Sequence, residues 1–164
     1  AQGGGHAVIR HSVTIGWADA PLKRFVDDAR LELAVLMHTS GQVLAQVGFQ
    51  RSIDVQTACA LSAAINASAE HLGGMVDGRP FTGLHYAGHA RQIYLGQVPA
   101  RDQRLLVLAV FDAESSLGIV QLYLKELYAN VAAAAPVAED SAPALAENFE
   151  ADLNRNLAQL FGRG

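Results

Sequence analysis

Residues 105–120 read LLVLAVFDAESSLGIV, and this stretch decides how the rest of the chain is parsed. Leu105 to Phe111 is a run of seven apolar residues with no polar alternation. A run of that length suits a central strand covered on both faces. Asp112 and Glu114 then interrupt it, and Ser115 or Ser116 is placed to cap a helix whose positive end Glu114 would favour. In that helix Leu117, Val120, Leu124, Leu127 and Val131 fall on one face, widened by Ile119 and Tyr123.

Working outward toward the N-terminus, two more strands precede the central one. They cover about 81–86 and 91–98, with a turn at 99–103. Before them lies the longest helix, capped by Asp54 and running to about Leu72, with Gly73-Gly74 and Asp77-Gly78-Arg79-Pro80 as its stop signal. A hairpin is expected from residues 31–37 and 42–48 around the His38–Gly41 turn. Leu22, Phe25, Val26 and Ala29 mark a short first helix over about 20–30, with Pro21 in its first turn. The fold class is α+β, with a sheet flanked by helices in the order α-β-β-α-β-β-β-α.

Residues 18–131 form the domain on this reading. Residues 1–17 read as an N-terminal arm in which Val13, Ile15 and Trp17 alternate, and Ala1 to Gly5 resemble an appended or trimmed remnant. An Ala/Pro/acidic linker follows at 132–146. In the last stretch, 147–164, Phe149, Leu153, Leu157 and Leu160 recur at helical spacing, which predicts an amphipathic tail helix too short to be stable alone.

The long helix carries the functional signal. At about 100° per residue, Ala58, Leu61, Ile65, Ala69, Leu72 and Val76 fall on one face and read as an ordinary core stripe. Ala60, Ala64, Ala67 and His71 fall opposite, flanked by Ser62, Asn66 and Ser68, and from Val55 to Ala69 there is no charged residue. A solvated face normally carries Lys, Glu, Arg or Gln. Alanine favours helices on propensity alone, but a helix face without a charged coat is also a candidate protein interface. Ala60, Ala64, Ala67 and His71 are therefore the candidate partner-binding residues.

Chemistry is sparse by comparison. The sequence has no phosphate-binding loop of the Gly-rich Lys-Ser/Thr kind, no dinucleotide fingerprint and no Gly-x-Ser-x-Gly elbow. His85 and His89 are four apart in strand and turn sequence, and no Cys or carboxylate near them completes a metal set. Asp27 and Asp28 are adjacent and so point to different sides of a helix, which makes them a solvated face rather than an acid/base pair. Cys59, the one cysteine, sits within the long helix and reads as packing; a lone cysteine also fits a reducing compartment. No catalytic residue, cofactor or metal is expected.

Composition narrows the class further. The chain has 164 residues, 51% hydrophobic and 17% charged, with a formal net charge of −4. Only Lys23 and Lys125 are lysines. That balance argues against a nucleic-acid groove, which needs a basic field. No apolar run approaches the roughly 18 residues of a membrane span. A cytoplasmic location is expected.

Several segments resemble the Roadblock/LC7 domain family, and within it the MglB-type bacterial regulators of a Ras-like GTPase. They are Ser40-Gly41-Gln42-Val43-Leu44, Ser52-Ile53-Asp54 with the helix after it, and Val110-Phe111-Asp112 followed by Ser115-Ser116-Leu117-Gly118-Ile119-Val120. The resemblance spans about residues 22–131. It implies a homodimer whose two five-stranded antiparallel sheets join. It also implies that the paired long helices form a platform for one Ras-like small GTPase of the MglA type, faced by Ala60, Ala64, Ala67 and His71. It further implies that GTP hydrolysis is promoted without an arginine finger; Arg51, just before the long helix, is the arginine nearest that role. The tail helix, through Phe149, Leu153, Leu157 and Leu160, resembles a region that contacts the GTPase away from the nucleotide; the alternative is that it folds back on its own domain. Two other functions fit the same layout: a scaffold with no effect on hydrolysis, and a small-molecule sensor of the PAS or GAF kind. The sensor needs an internal pocket with polar handles, which the aliphatic 105–111 strand does not offer.

Overall fold

The structure, a computed structural model, describes residues 16–48 and 54–136. Its elements follow the expected order: α1 (Gly16–Ala29), β1 (Leu33–His38), β2 (Val43–Gly48), α2 (Val55–Asp77), β3 (Gly83–Ala87), β4 (Gln92–Ala100), β5 (Gln103–Phe111) and α3 (Leu117–Ala134). The sheet is antiparallel throughout, in the order β2-β1-β5-β4-β3. The apolar run 105–111 lies in β5, the central strand. Leu105, Val107, Ala109 and Phe111 face one core, while Leu106, Leu108 and Val110 face the other. This is why the strand shows no alternation: both of its faces are buried.

The first core is thick. α1 and α3 cover it with Leu22, Phe25, Leu124 and Leu127 over Leu36, Val98 and Phe111. The second lies under α2 alone, where Leu33, Val35, Met37, Leu95 and Leu108 meet buried Cys59 and the partly buried Val55, Ala58 and Ile65 of the helix. In the first hairpin, Leu36 opposes Ala45 and Met37 opposes Val43, so Leu44 is the extra residue of a bulge.

The helix ends have identifiable causes. Asp54 caps α2 by accepting from the Thr57 N–H, and its carboxyl is held below the usual range by the hydrogen bonds from Thr57. Of the two candidate serines, Ser116 caps α3, accepting from Ile119 N–H at 3.2 Å. Ser115 instead donates to the Ala29 carbonyl at 2.6 Å and ties α3 to the end of α1. Arg30 takes the left-handed conformation after α1, and Leu31 N–H donates back to the Val26 carbonyl, the closing bond of a Schellman motif.

Three boundaries differ from the sequence reading. Gly16 and Trp17 belong to α1, which has 14 residues, so the helix is longer than read and the buried Pro21 is its sixth residue, inside the helix and not in its first turn. α3 runs on to Ala134, past the domain boundary read at 131. α2 passes through Gly73-Gly74 and ends at Asp77, with Gly78 in the left-handed region as its cap.

The two glycines inside α2 have different reasons. A Cβ on Gly73 would stand 2.4 Å from the Phe81 nitrogen and 2.6 Å from the Arg79 oxygen, so Gly73 is where the returning chain crosses the helix. A Cβ on Gly74 would meet nothing within 4 Å. Gly73→Ala is therefore expected to destabilise by about 1–3 kcal/mol, and Gly74→Ala to stabilise by about 0.5–1 kcal/mol. Urea unfolding midpoints should move in opposite directions; a shared direction would refute the crossing as the cause.

Candidate functional site

α2 rests on its sheet through an unusual underside. The buried line is Cys59, Ser62, Asn66, Ala69 and Gly73, small or polar at every position. Asn66 and Ser62 are buried against the sheet and do not flank the platform. Ser62 Oγ satisfies itself on the Ala58 carbonyl at 2.8 Å. Gln97 of β4, also buried, fills the space beneath. Its amide donates to Asn66 Oδ1 at 3.1 Å and to Glu70 Oε2 at 2.7 Å, and its carbonyl accepts from Arg104 Nη1 at 3.1 Å. The helix is thus located by a hydrogen-bonded clamp as well as by apolar packing. Burial pushes the Cys59 thiol up to about 11, so at neutral pH it is an uncharged packing group.

This underside corrects the expected core stripe. The buried line is turned about 80° round the helix from the stripe read in the sequence, at 100° per residue. The wheel predicts Leu61, Leu72 and Val76 in the core, but they are 59%, 50% and 71% exposed. The physical reason is the polar clamp: with Asn66, Ser62 and Gln97 holding the underside, the large apolar residues are left at the side of the helix. Met75 joins them on the exposed surface.

Beside that stripe lies β3, the edge strand, which pairs with β4 and has no partner on its other edge among the described residues. Leu84 and Tyr86 of β3, with Phe81, form the far wall of an open groove of about 360 Å³; Leu61, Ala64, Ile65 and Leu72 form the near wall. A second open depression, about 560 Å³, lies higher on the helix between Ala67, Ser68, His71, Leu72 and Met75. An apolar helix side running onto a strand edge that has no partner among the described residues is a surface that water covers poorly.

The four residues singled out by sequence are all exposed and share the outward face of α2: Ala60, Ala64, Ala67 and His71. Ala64 belongs to the groove, and Ala67 and His71 to the second depression. The sequence reading does not point to the exposed groove residues Leu61, Leu72 and Tyr86, or to the half-buried Phe81 beside them. One signal for them existed: Ser62 and Asn66 share a helix face with Ala69, and polar residues there compete with the apolar stripe for the inward position. Phe149, Leu153, Leu157, Leu160 and Arg51 lie outside the described residues.

Three of the remaining polar pairings are ordinary. His85 bonds Gln92 Oε1 at 2.7 Å and stacks on Phe111 with centroids 6.2 Å apart. Asp27 pairs with Lys23 at 3.2 Å on an exposed helix turn, and Glu32 with Arg91 at 2.6 Å. Among the described residues no helix is long and apolar enough to cross a membrane.

No family profile matches the sequence, and no curated protein matches it. Solved structures do resemble the fold. MglB from Myxococcus xanthus is 23% identical and superposes with a TM-score of 0.64, covering 70% of this chain and 91% of its own. An MglB structure with a tetrameric arrangement is 22% identical, with a TM-score of 0.64, over 71% of this chain and 85% of that one. A Roadblock/LC7 domain from Streptomyces avermitilis is 16% identical, with a TM-score of 0.58, over 69% and 92%.

Proposed function

We propose that this chain, which has a Roadblock/LC7-type fold related to that of MglB, is a homodimeric regulator that binds a Ras-like small GTPase and promotes its GTP hydrolysis. The observation that carries the reading is the surface of α2. An apolar side runs onto the unpaired edge of β3, and an outward face of small residues lies next to it. The side and the edge suit a second copy of the chain; the outward face, doubled by the dimer, suits a partner that must approach closely. The tetrameric arrangement of one structural neighbour supports self-association.

The platform residues Ala60, Ala64, Ala67 and His71 include no arginine to insert into a nucleotide site. Promotion of hydrolysis would then be conformational. The dimer would bind the hydrolysis-competent arrangement of the GTPase's switch segments better than the other arrangements, and its binding would shift the population accordingly. Phosphoryl transfer itself would use the GTPase's own groups.

The test is a hydrolysis and binding assay with an MglA-type GTPase, using Ala60→Arg and Ala67→Arg. Both sites are exposed, so both variants should stay folded and dimeric. Each is expected to weaken GTPase binding by at least about tenfold, through steric and charge misfit. Unchanged binding by both would refute the platform. Intact binding with no acceleration at saturation would make the protein a scaffold.

A further inference from the structure

The sheet face opposite α2 is incompletely covered. α1 lies over β2 and β1, and α3 lies over β4. Helices pack about 8–10 Å apart and strands about 4.8 Å apart, so two helices cover roughly four strands. The fifth, β3, presents Gly83, His85 and Ala87 on this side, and the last two are exposed. Tyr94 lies flat over this shelf, because only Gly83 and Gly96 leave room: a Cβ on either would fall under 3 Å from its ring or hydroxyl. With Tyr128 and Leu122 of α3 it lines an open groove of about 460 Å³. Leu122 is 57% exposed. Lys125 is the one charged side chain in the lining.

We propose that the chain's own C-terminal segment, residues 149–160, docks in this groove as a third helix alongside α3. Three observations select that occupant. The first is reach. α3 ends at Ala134 on the same sheet face, where Arg101 Nε holds the Ala135 carbonyl at 2.7 Å. Residues 137–148 then span up to about 40 Å when extended, far more than a return to Tyr128 needs. The second is length. Phe149, Leu153, Leu157 and Leu160 would extend about 16 Å along a helix, and the groove, from Tyr128 to Gly118, extends about 15 Å along α3. The third is charge. A segment running antiparallel to α3 enters at the Tyr128 end with Glu150 and Asp152, which brings these acids to Lys125. The tether keeps the segment at high effective concentration, so a short helix that is unstable alone can be held. The groove lies on the other side of the sheet from the platform, so this docking is independent of GTPase binding.

The test is hydrogen exchange of the full chain, without any GTPase, read by mass spectrometry over residues 149–160. Docking predicts at least about tenfold slower exchange there than for an unstructured segment. Leu122→Asp, at an exposed position, should abolish that protection, and Leu122→Met should keep it. Gln56→Asp, at an exposed α2 position on the opposite face, should leave it unchanged. The proposal is overturned if the parent shows no protection over 149–160, if Leu122→Asp leaves it intact, or if Gln56→Asp removes it.

Discussion

Leu61→Glu combined with Leu72→Glu is expected to give a folded monomer at concentrations where the parent chain is a dimer. Both side chains are at least half exposed in the single chain, so the substitutions cost its own core little. In a dimer that closes over the groove between α2 and β3, each would become an unpaired charge in an apolar interface. Uncompensated burial of a charge costs about 3–5 kcal/mol, and every 1.4 kcal/mol is about tenfold in dissociation constant. A loss of at least about a hundredfold in self-affinity should follow, read by analytical ultracentrifugation, with circular dichroism confirming the fold. A double variant that stays dimeric would show that copies associate through another surface. A monomeric parent would remove the dimer from the proposed function altogether.

The second large effect concerns the clamp beneath α2. Gln97→Leu should lower stability by about 1–3 kcal/mol, because it strips the buried Asn66 side chain of its hydrogen-bond donor. Glu70 and Arg104 are partly exposed and can turn to water. Adding Asn66→Leu should recover most of the loss, since replacing both members of a buried polar pair by apolar groups is close to neutral. The double variant should therefore be more stable than Gln97→Leu alone, as measured by urea midpoints at unchanged slope. Additive losses would mean that the pair is not what locates the helix. The recovered variant also tests the clamp's use: with an apolar underside, Leu61 and Leu72 compete to turn inward, and exchange of α2 amides should report a change in helix position.

The legible part of this protein is where local pattern and burial agree. Leu105 to Phe111 reads as a doubly covered strand, and β5 is the central strand with side chains in both cores. Leu117, Val120, Leu124, Leu127 and Val131 read as one face, and all but the partly buried Leu117 are buried. Asp54 carries its capping role in its type and position. The long helix is the opposite case. Its apolar stripe was read as the core, yet three of its largest residues lie at the surface. Ala60, Ala64, Ala67 and His71 are exposed, because they stand about 150° from the true underside and stay outside under either rotation. The Gly73-Gly74 pair failed as a stop signal because Gly73 serves the crossing at Arg79–Phe81, a long-range contact with no local trace.

The sequence by itself determined the element order, the central strand, the Asp54 cap and an uncharged outward face on α2, since each follows from residue type and spacing within a few turns of chain. Only the tertiary structure decided which way α2 is rotated on the sheet. That rotation depends on Gln97, 31 residues from Asn66 and 27 from Glu70, and on β3 lying at an edge rather than inside the sheet. A buried hydrogen-bonded pair that joins a helix to a distant strand must keep its partners together, because separating them leaves a buried polar group unsatisfied, and no periodicity within the helix records that constraint.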